Sequence, residues 1–233
     1  MNVRIGTSGF SYKEWKGSFY PSDLPAKKML SFYGSRFPSV EINNTFYRMP
    51  TEKTMLDWAA EVPENFLFAL KAPQRITHMK RLKDAGEDFV FFMQTSAILG
   101  PRLGPTLIQL PPTMKKDLAR LEDFTARIPA TWKAAFEFRH PSWFSDDVYD
   151  LLKSRGLALC AADTGEGEVP VVPTTSWGYL RLRKVEYGTS ELEVWAERLR
   201  SQPWGEAFVF FKHEDEATGP KLAAEFGPLV GAV

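Results

Sequence analysis

The sequence predicts a (β/α)8 barrel of the TIM type, an α/β fold, and three observations carry that expectation. Eight short apolar runs recur along the chain, most of them followed by an amphipathic helical stretch, which is the pattern of successive parallel βα units. The length of 233 residues suits a compact barrel, a fold that typically takes ~250. No Gly/Ser/Pro-rich linker and no shift in composition divides the chain, so residues 1–233 read as a single domain. The rival is a doubly wound open sheet, which usually carries a glycine-rich phosphate turn after its first strand. Gly6-Thr7-Ser8-Gly9 is not that fingerprint, because residues 10–20 continue as an aromatic loop instead of opening a helix.

Taken in order, residues 3–6, 40–43, 66–71 and 106–110 supply the first four strands. Residues 135–139, 157–162, 179–183 and 207–212 supply the other four. Between them, Thr51 with Thr54 opens a helix that runs through Trp58 and ends before Pro63. Residues 115–127 form a helix that stops at Pro129, residues 145–154 one that ends at Gly156, and residues 190–199 one that stops before Pro203. Residues 163–177 are broken by Pro170 and Pro173 and show no helical period, so the sixth helix is expected to be reduced or missing.

Composition removes several function classes. Lys and Arg number 29 against 29 Asp and Glu, and a neutral chain lacks the basic excess that holds nucleic acid by bulk electrostatics. At 44% hydrophobic and 14% aromatic, the chain can bury a large core, which excludes disorder. Cys160 is the only cysteine, which excludes a disulfide within the chain and any cysteine-cluster zinc site. No apolar run approaches the ~20 residues that cross a bilayer, and the first residues lack the apolar run of a signal peptide. The expectation is a cytoplasmic protein with no membrane partner.

A barrel of this type holds its site at the carboxyl ends of the strands. Glu41 and Asn43 end the second strand, Lys71 the third, Gln109 the fourth, and Glu137 with Arg139 the fifth. Asp163 follows the sixth, Arg181 and Arg183 end the seventh, and Lys212 with His213 the eighth. Period-two alternation sets Val40, Ile42, Phe136, Phe138, Leu180 and Leu182 toward the helices, which leaves the charged residues facing the barrel axis. Charges there cost several kcal/mol unless paired or bound to ligand. Mutual pairing, Arg139 with Glu41 or Arg181 with Glu137, is the structural explanation. Five cations, Lys71, Arg139, Arg181, Arg183 and Lys212, oppose Glu41, Glu137 and Asp163, a surplus of two positive charges that suits an anion held by arginine clamps.

The three histidines, His78, His140 and His213, each fall just past a strand end. His78 and His140 are candidate general acids or bases. With Glu41, Glu137 or Asp163 they could also make a mixed His/carboxylate site for a divalent metal, although their spacing carries no metal signature and no cofactor is expected. The aromatics Phe10, Tyr12, Trp15, Phe19 and Tyr20, with Phe46-Tyr47 and Trp143, read first as packing of the mouth loops. Cys160 reads as an inert core residue.

These residues carry a resemblance. Gly6-Thr7-Ser8-Gly9-Phe10-Ser11-Tyr12 with Trp15 and Tyr20-Pro21, residues 40–48, Lys71-Ala72-Pro73 and Ile76-Thr77-His78 are its first pieces. Leu103-Gly104-Pro105, Gln109-Leu110-Pro111-Pro112, residues 136–143, Asp163 and residues 179–183 complete it. The chain resembles the YecE-like family, domain of unknown function seventy-two, over nearly its whole length. The resemblance implies a TIM-type barrel and no particular reaction. It marks Glu41, Asn43, Lys71, His78, Gln109, Glu137, Arg139, His140, Asp163 and Arg181 as the pocket. One departure stands out: many relatives end the eighth strand in two asparagines, where this chain has Lys212-His213 followed by Glu214-Asp215-Glu216.

Three functional expectations follow. The first is an enzyme acting on a small phosphorylated or carboxylated metabolite, with Arg139, Arg181 and Lys71 holding the anion, Glu137 or Glu41 as base and His78 or His140 as acid. Lys71 is also a candidate Schiff-base amine. The second is a metal-dependent hydrolase or isomerase of the endonuclease IV or xylose isomerase type, on fold analogy alone. The third is a non-catalytic module that binds a nucleotide or single-stranded nucleic acid through cations and mouth aromatics.

Overall fold

The computed structural model describes residues 1–167, 170–213 and 215–231. Glu214, one of the acidic residues after the eighth strand, lies outside them. Eight parallel strands follow one another around a barrel: β1 (Asn2–Thr7), β2 (Ser39–Ile42), β3 (Leu67–Lys71), β4 (Leu103–Gln109), β5 (Ala134–Glu137), β6 (Ala158–Asp163), β7 (Trp177–Leu182) and β8 (Glu206–Phe211). Among the described residues, eight α-helices surround them: α1 (Met29–Gly34), α2 (Asn44–Tyr47), α3 (Glu52–Glu61), α4 (Gly86–Ser96), α5 (Leu118–Thr125), α6 (Asp146–Arg155), α7 (Thr189–Arg200) and α8 (Thr218–Leu229). Between β6 and β7 the described residues hold no helix, as the prolines predicted.

Local chemistry sets the helix ends. The Thr51 side chain accepts the Thr54 amide and opens α3. Gly156 takes the left-handed conformation, φ 66°, that closes α6. Helix α5 is shorter than the 115–127 expected, because Asp117 caps it by accepting the Arg120 amide and so fixes its start. The apolar stretch 89–93 lies inside α4, where Phe89, Phe92 and Met93 are buried.

The sheet closes at a seam between β1 and β2. Seven neighbouring pairs are laddered, whereas β1 and β2 share a single bridge, Ser8 with Glu41, and one bond from the Gly9 amide to the Glu41 carbonyl at 2.7 Å. The Tyr33 hydroxyl of α1 fills the gap below it. It accepts the Thr7 amide at 2.8 Å and donates to the Ser39 carbonyl at 3.1 Å, serving backbone groups of both strands. The strands pass so closely that a Cβ at Gly6 would stand 2.0 Å from the Ser39 carbonyl oxygen.

Two apolar layers result. Val40, Ile42, Phe136, Phe138, Leu180 and Leu182 pack outward against the helices. Inside the barrel, the aromatics Trp177, Tyr179, Phe208 and Phe210 from β7 and β8 fill space left by Ala69, Ala135 and Ala158 across the axis. Ion pairs close the amino end, where Glu206 takes Arg4 at 3.1 Å and Lys133 at 2.5 Å. The barrel interior is therefore filled from that end to the polar set at the carboxyl end.

Candidate functional site

The polar set begins with Arg181 of β7, which is 1% exposed. Its guanidinium spans the axis. Nη2 donates to Glu41 Oε1 at 2.8 Å, Nε to the same oxygen at 3.1 Å, and Nη1 to Glu137 Oε2 at 2.5 Å. Both carboxylates are then completed by neighbours. Ser8 Oγ donates to Glu41 Oε1 and Tyr179 Oη to Glu41 Oε2, each at 2.7 Å. Gln109 Nε2 and Arg139 Nε donate to Glu137 Oε1 at 2.7 and 3.0 Å. Six residues on β2, β4, β5, β7 and the end of β1, with Arg139 just past β5, thus form one continuous network.

Electrostatics fix its protonation. Burial alone would raise the Glu137 carboxyl, yet Arg181, Arg139 and Arg183 outweigh it and hold that carboxyl well below the usual carboxylate range. Burial and the neighbouring Glu41 raise the Tyr179 hydroxyl, so it stays a donor. Cys160 lies in the barrel interior beneath this layer, with its thiol pushed up by burial, which disfavours the thiolate.

Above the network three cations converge with donors to spare. Arg139 spends Nε on Glu137, and its terminal nitrogens have no partner among the described residues. Arg183 reaches Glu137 only at 3.7 Å, and its buried Nε has no hydrogen-bond partner among the described residues. The Lys71 ammonium makes no hydrogen bond or ion pair with any described residue; its Nζ stands 4.0 Å over the Phe46 ring. Burial, then Arg181, lowers the Lys71 ammonium to about 8. His78 packs edge-on against the same Phe46 ring, 4.9 Å between centroids, and pairs with Thr77 Oγ1. Burial, then Lys71 and Arg139, lowers it to about 4, so its imidazole is neutral at pH 7.

Helix α2 and the turn after β3 position this corner. Thr45 donates to the Lys71 carbonyl at 2.6 Å, tying α2 to the end of β3 and setting Phe46 beneath the lysine. Asn43 and Lys212 lie half-buried at the ends of β2 and β8, in the register that faces the axis. A cleft of about 310 Å³ opens between β5 and β6, with Glu137, Arg139, Cys160, Ala162 and Thr164 in its wall. A larger cavity of about 530 Å³ lies on the barrel flank between α1 and α8, away from these charges.

Not every expected residue joins the network. Asp163 turns to the helix layer, where it accepts Tyr187 Oη at 3.0 Å, Trp195 Nε1 at 3.1 Å and the Gly165 amide at 2.9 Å. Its β6 neighbours Cys160 and Ala162 take the inward register, so Asp163 must point outward. His140 caps the turn after β5 by accepting the Ser142 amide at 3.2 Å, and His213 bonds through Nε2 to the Lys184 carbonyl. With the histidines dispersed in this way, the described residues contain no group of three or more His, Cys, Asp or Glu that could hold a metal ion. Arg139 pairs with Glu137 and not with Glu41. Of the loop aromatics, Tyr20 is buried against Phe32 of α1 and Trp15 stacks on Tyr20, whereas Trp143 stacks on Phe138. Sequence reasoning left out Ser8 and Tyr179; Tyr179 was legible, standing two residues before Arg181 on the same strand face.

The family model described as "Protein of unknown function DUF72" matches residues 4–233. The chain belongs to the DUF72 family. It is 30% identical over 185 residues to the UPF0759 protein YunF of Bacillus subtilis, covering 73% of this chain and 64% of that one. It is also 30% identical over 156 residues to the UPF0759 protein YecE of Escherichia coli, covering 66% of this chain and 55% of that one. The matched stretch thus spans between about half and two thirds of these curated relatives. Among solved structures, a DUF72 protein from Thermotoga maritima superposes with a TM-score of 0.86 at 28% identity, over 99% of this chain and all of that one. Another, from Enterococcus faecalis, gives 0.82 at 21% identity, over 99% and 96%, and shares the fold. No helix among the described residues of this DUF72 chain is long and apolar enough to cross a membrane.

Proposed function

We propose that the barrel mouth binds a small phosphorylated or carboxylated metabolite and acts on it by acid–base chemistry. The observation that carries this reading is the set of unspent donors on Arg183 and Arg139 above a carboxylate already engaged by Arg181, Gln109 and the Nε of Arg139. A buried donor without a partner costs ~1–3 kcal/mol, and an anion at the mouth would supply the missing acceptor. Two guanidiniums side by side recognise the oxygens of phosphate or carboxylate in bidentate fashion.

The division of labour differs from the one the sequence suggested. Glu137, held ionised by three arginines, is a weak base and serves as the anchor that aims Arg139 and Arg181. Proton transfer falls to Lys71, whose ammonium is brought down to about 8 and so nearer pH 7, with His78, lowered to about 4 and neutral at pH 7, placed beside it as a proton acceptor. Calorimetric titration with phosphate, pyrophosphate and a panel of phosphorylated and carboxylated metabolites tests the reading. Binding by the wild type, weakened tenfold or more in Arg183→Ala and in Arg139→Ala, is expected. Equal affinities in all three proteins would remove the clamp, and no binding by any member would remove the anion reading.

A further inference from the structure

We propose that Lys71 is a carbonyl-trapping amine, forming an imine with a small aldehyde or ketone that carries an anionic group, and so narrows the substrate class of the mouth described above; this rests on the anion reading. Four observations meet at this side chain. Lys71 ends β3 on the axis face, where its carbonyl is pinned by Thr45. It is half-buried, and no described carboxylate pairs with it. Its Nζ lies over the Phe46 ring, which supplies a face for a carbonyl carbon to lie against without offering a hydrogen bond. Burial, with the charges of Arg181 and Arg139, outweighs the opposing pull of Glu41 and Glu137 and lowers its ammonium, and the spare donors of Arg139 would fix an anionic tail beside it.

Two other cations of the barrel differ, one buried and one exposed. Arg181 is clamped by two carboxylates, and Lys133 at the opposite end is paired with Glu206. Lys71 combines half-burial and cationic neighbours with no hydrogen-bonding or ion-pairing partner for its ammonium among the described residues, which is the environment that leaves an amine free to attack.

The chemistry balances without a redox partner. The neutral amine adds its lone pair to the carbonyl carbon; the carbonyl electron pair moves to oxygen, which takes over one of the two nitrogen protons to give a neutral carbinolamine. The carbinolamine hydroxyl takes up a second proton, from solvent, and the nitrogen pair expels it as water, leaving a protonated C=N bond. One carbonyl compound is consumed, one water is released and no electron is gained or lost. Such an imine withdraws electrons from the neighbouring C–H and C–C bonds, so the reactions open to the site are proton transfer and carbon–carbon cleavage or formation beside a carbonyl.

Reductive trapping tests this directly. The whole protein is exposed to glyoxylate and cyanoborohydride, with glycolaldehyde as the uncharged probe of similar size, and labelling at each lysine is followed by peptide mass spectrometry. The reference is Lys115, exposed on the surface. Labelling of Lys71 by glyoxylate at least tenfold faster than Lys115, and at least fivefold faster than by glycolaldehyde, is expected. Its rate should rise with pH through a midpoint near 8, against the ~10.4 of an ordinary lysine. Arg139→Ala should remove the preference for glyoxylate while Lys71 stays reactive. Lys71 labelled no faster than Lys115, in a protein that still binds phosphate calorimetrically, overturns the imine and leaves the anion reading standing. Failure of both labelling and phosphate binding overturns both. Rapid labelling that ignores the probe's charge overturns the anionic substrate class.

Discussion

A guanidinium buried between two carboxylates holds them only while all three stay charged, so Arg181 sets a pH dependence of its own. Glu137 has its folded-state pKa depressed, so its contribution to stability is complete above the unfolded value of ~4.3 and is lost as pH falls below it. Arg181→Met leaves two buried carboxylates short of their cation and should cost about 3–5 kcal/mol at pH 7. Protonation relieves that variant, so the difference from wild type should shrink in urea melts as pH drops from 7 toward 4. A difference that grows on acidification would contradict the assignment. Asp163 offers the opposite test. Asp163→Asn should lower stability by ~1–3 kcal/mol, since it disturbs bonds to Tyr187 and Trp195. Its phosphate affinity should stay within about twofold of wild type, whereas a tenfold loss would put Asp163 back in the site. Alternation along the strands made Glu41, Glu137, Arg139 and Arg181 legible as axis-facing residues. The same rule, applied from Cys160 and Ala162, would have turned Asp163 outward; its position at a strand end outweighed its parity. The orphaned Nε of Arg183 was not legible, because the absence of a partner is a property of three-dimensional packing.

At the scale of elements, the seam between β1 and β2 is the weak line of the barrel. Tyr33→Phe removes the hydroxyl that serves the Thr7 amide and the Ser39 carbonyl, leaving both buried and unpaired. A loss of about 1–3 kcal/mol is expected in urea unfolding with an unchanged m value. Loss below about 0.5 kcal/mol would mean that the strands re-form their own ladder. The eight strands were legible because each is an apolar run bounded by polar strand ends, and four helices were legible from their caps and stops. What escaped was the hydroxyl that replaces a stretch of ladder: Tyr33 sits on a short helix after a long loop, and nothing local announces that its hydroxyl reaches between two strands. The start of β4 escaped for a related reason, since Leu103-Gly104-Pro105 reads as a turn in isolation and becomes strand only against β3.

For the whole molecule, zero net charge hides a strongly polarised interior. One end of the barrel is closed by Glu206 with Arg4 and Lys133; the other gathers Lys71, Arg139, Arg181, Arg183 and Lys212 against two carboxylates once Asp163 is turned away. Lys71 adds a pH signature to this end. Its folded pKa of about 8 lies below the unfolded value of ~10.4, so the folded state carries a penalty below pH 8 that is relieved as pH rises between the two. Anion affinity should therefore fall as pH rises through about 8, when the mouth loses one positive charge. The central claim is that this end is built to hold an anion, and selenate reports on it by anomalous scattering. Crystals soaked in selenate should show a peak within hydrogen-bond distance of Arg139 and Arg183, beside Lys71, that disappears in the Arg183→Ala protein. Selenate bound only on the outer surface, with the mouth bare, would contradict the account.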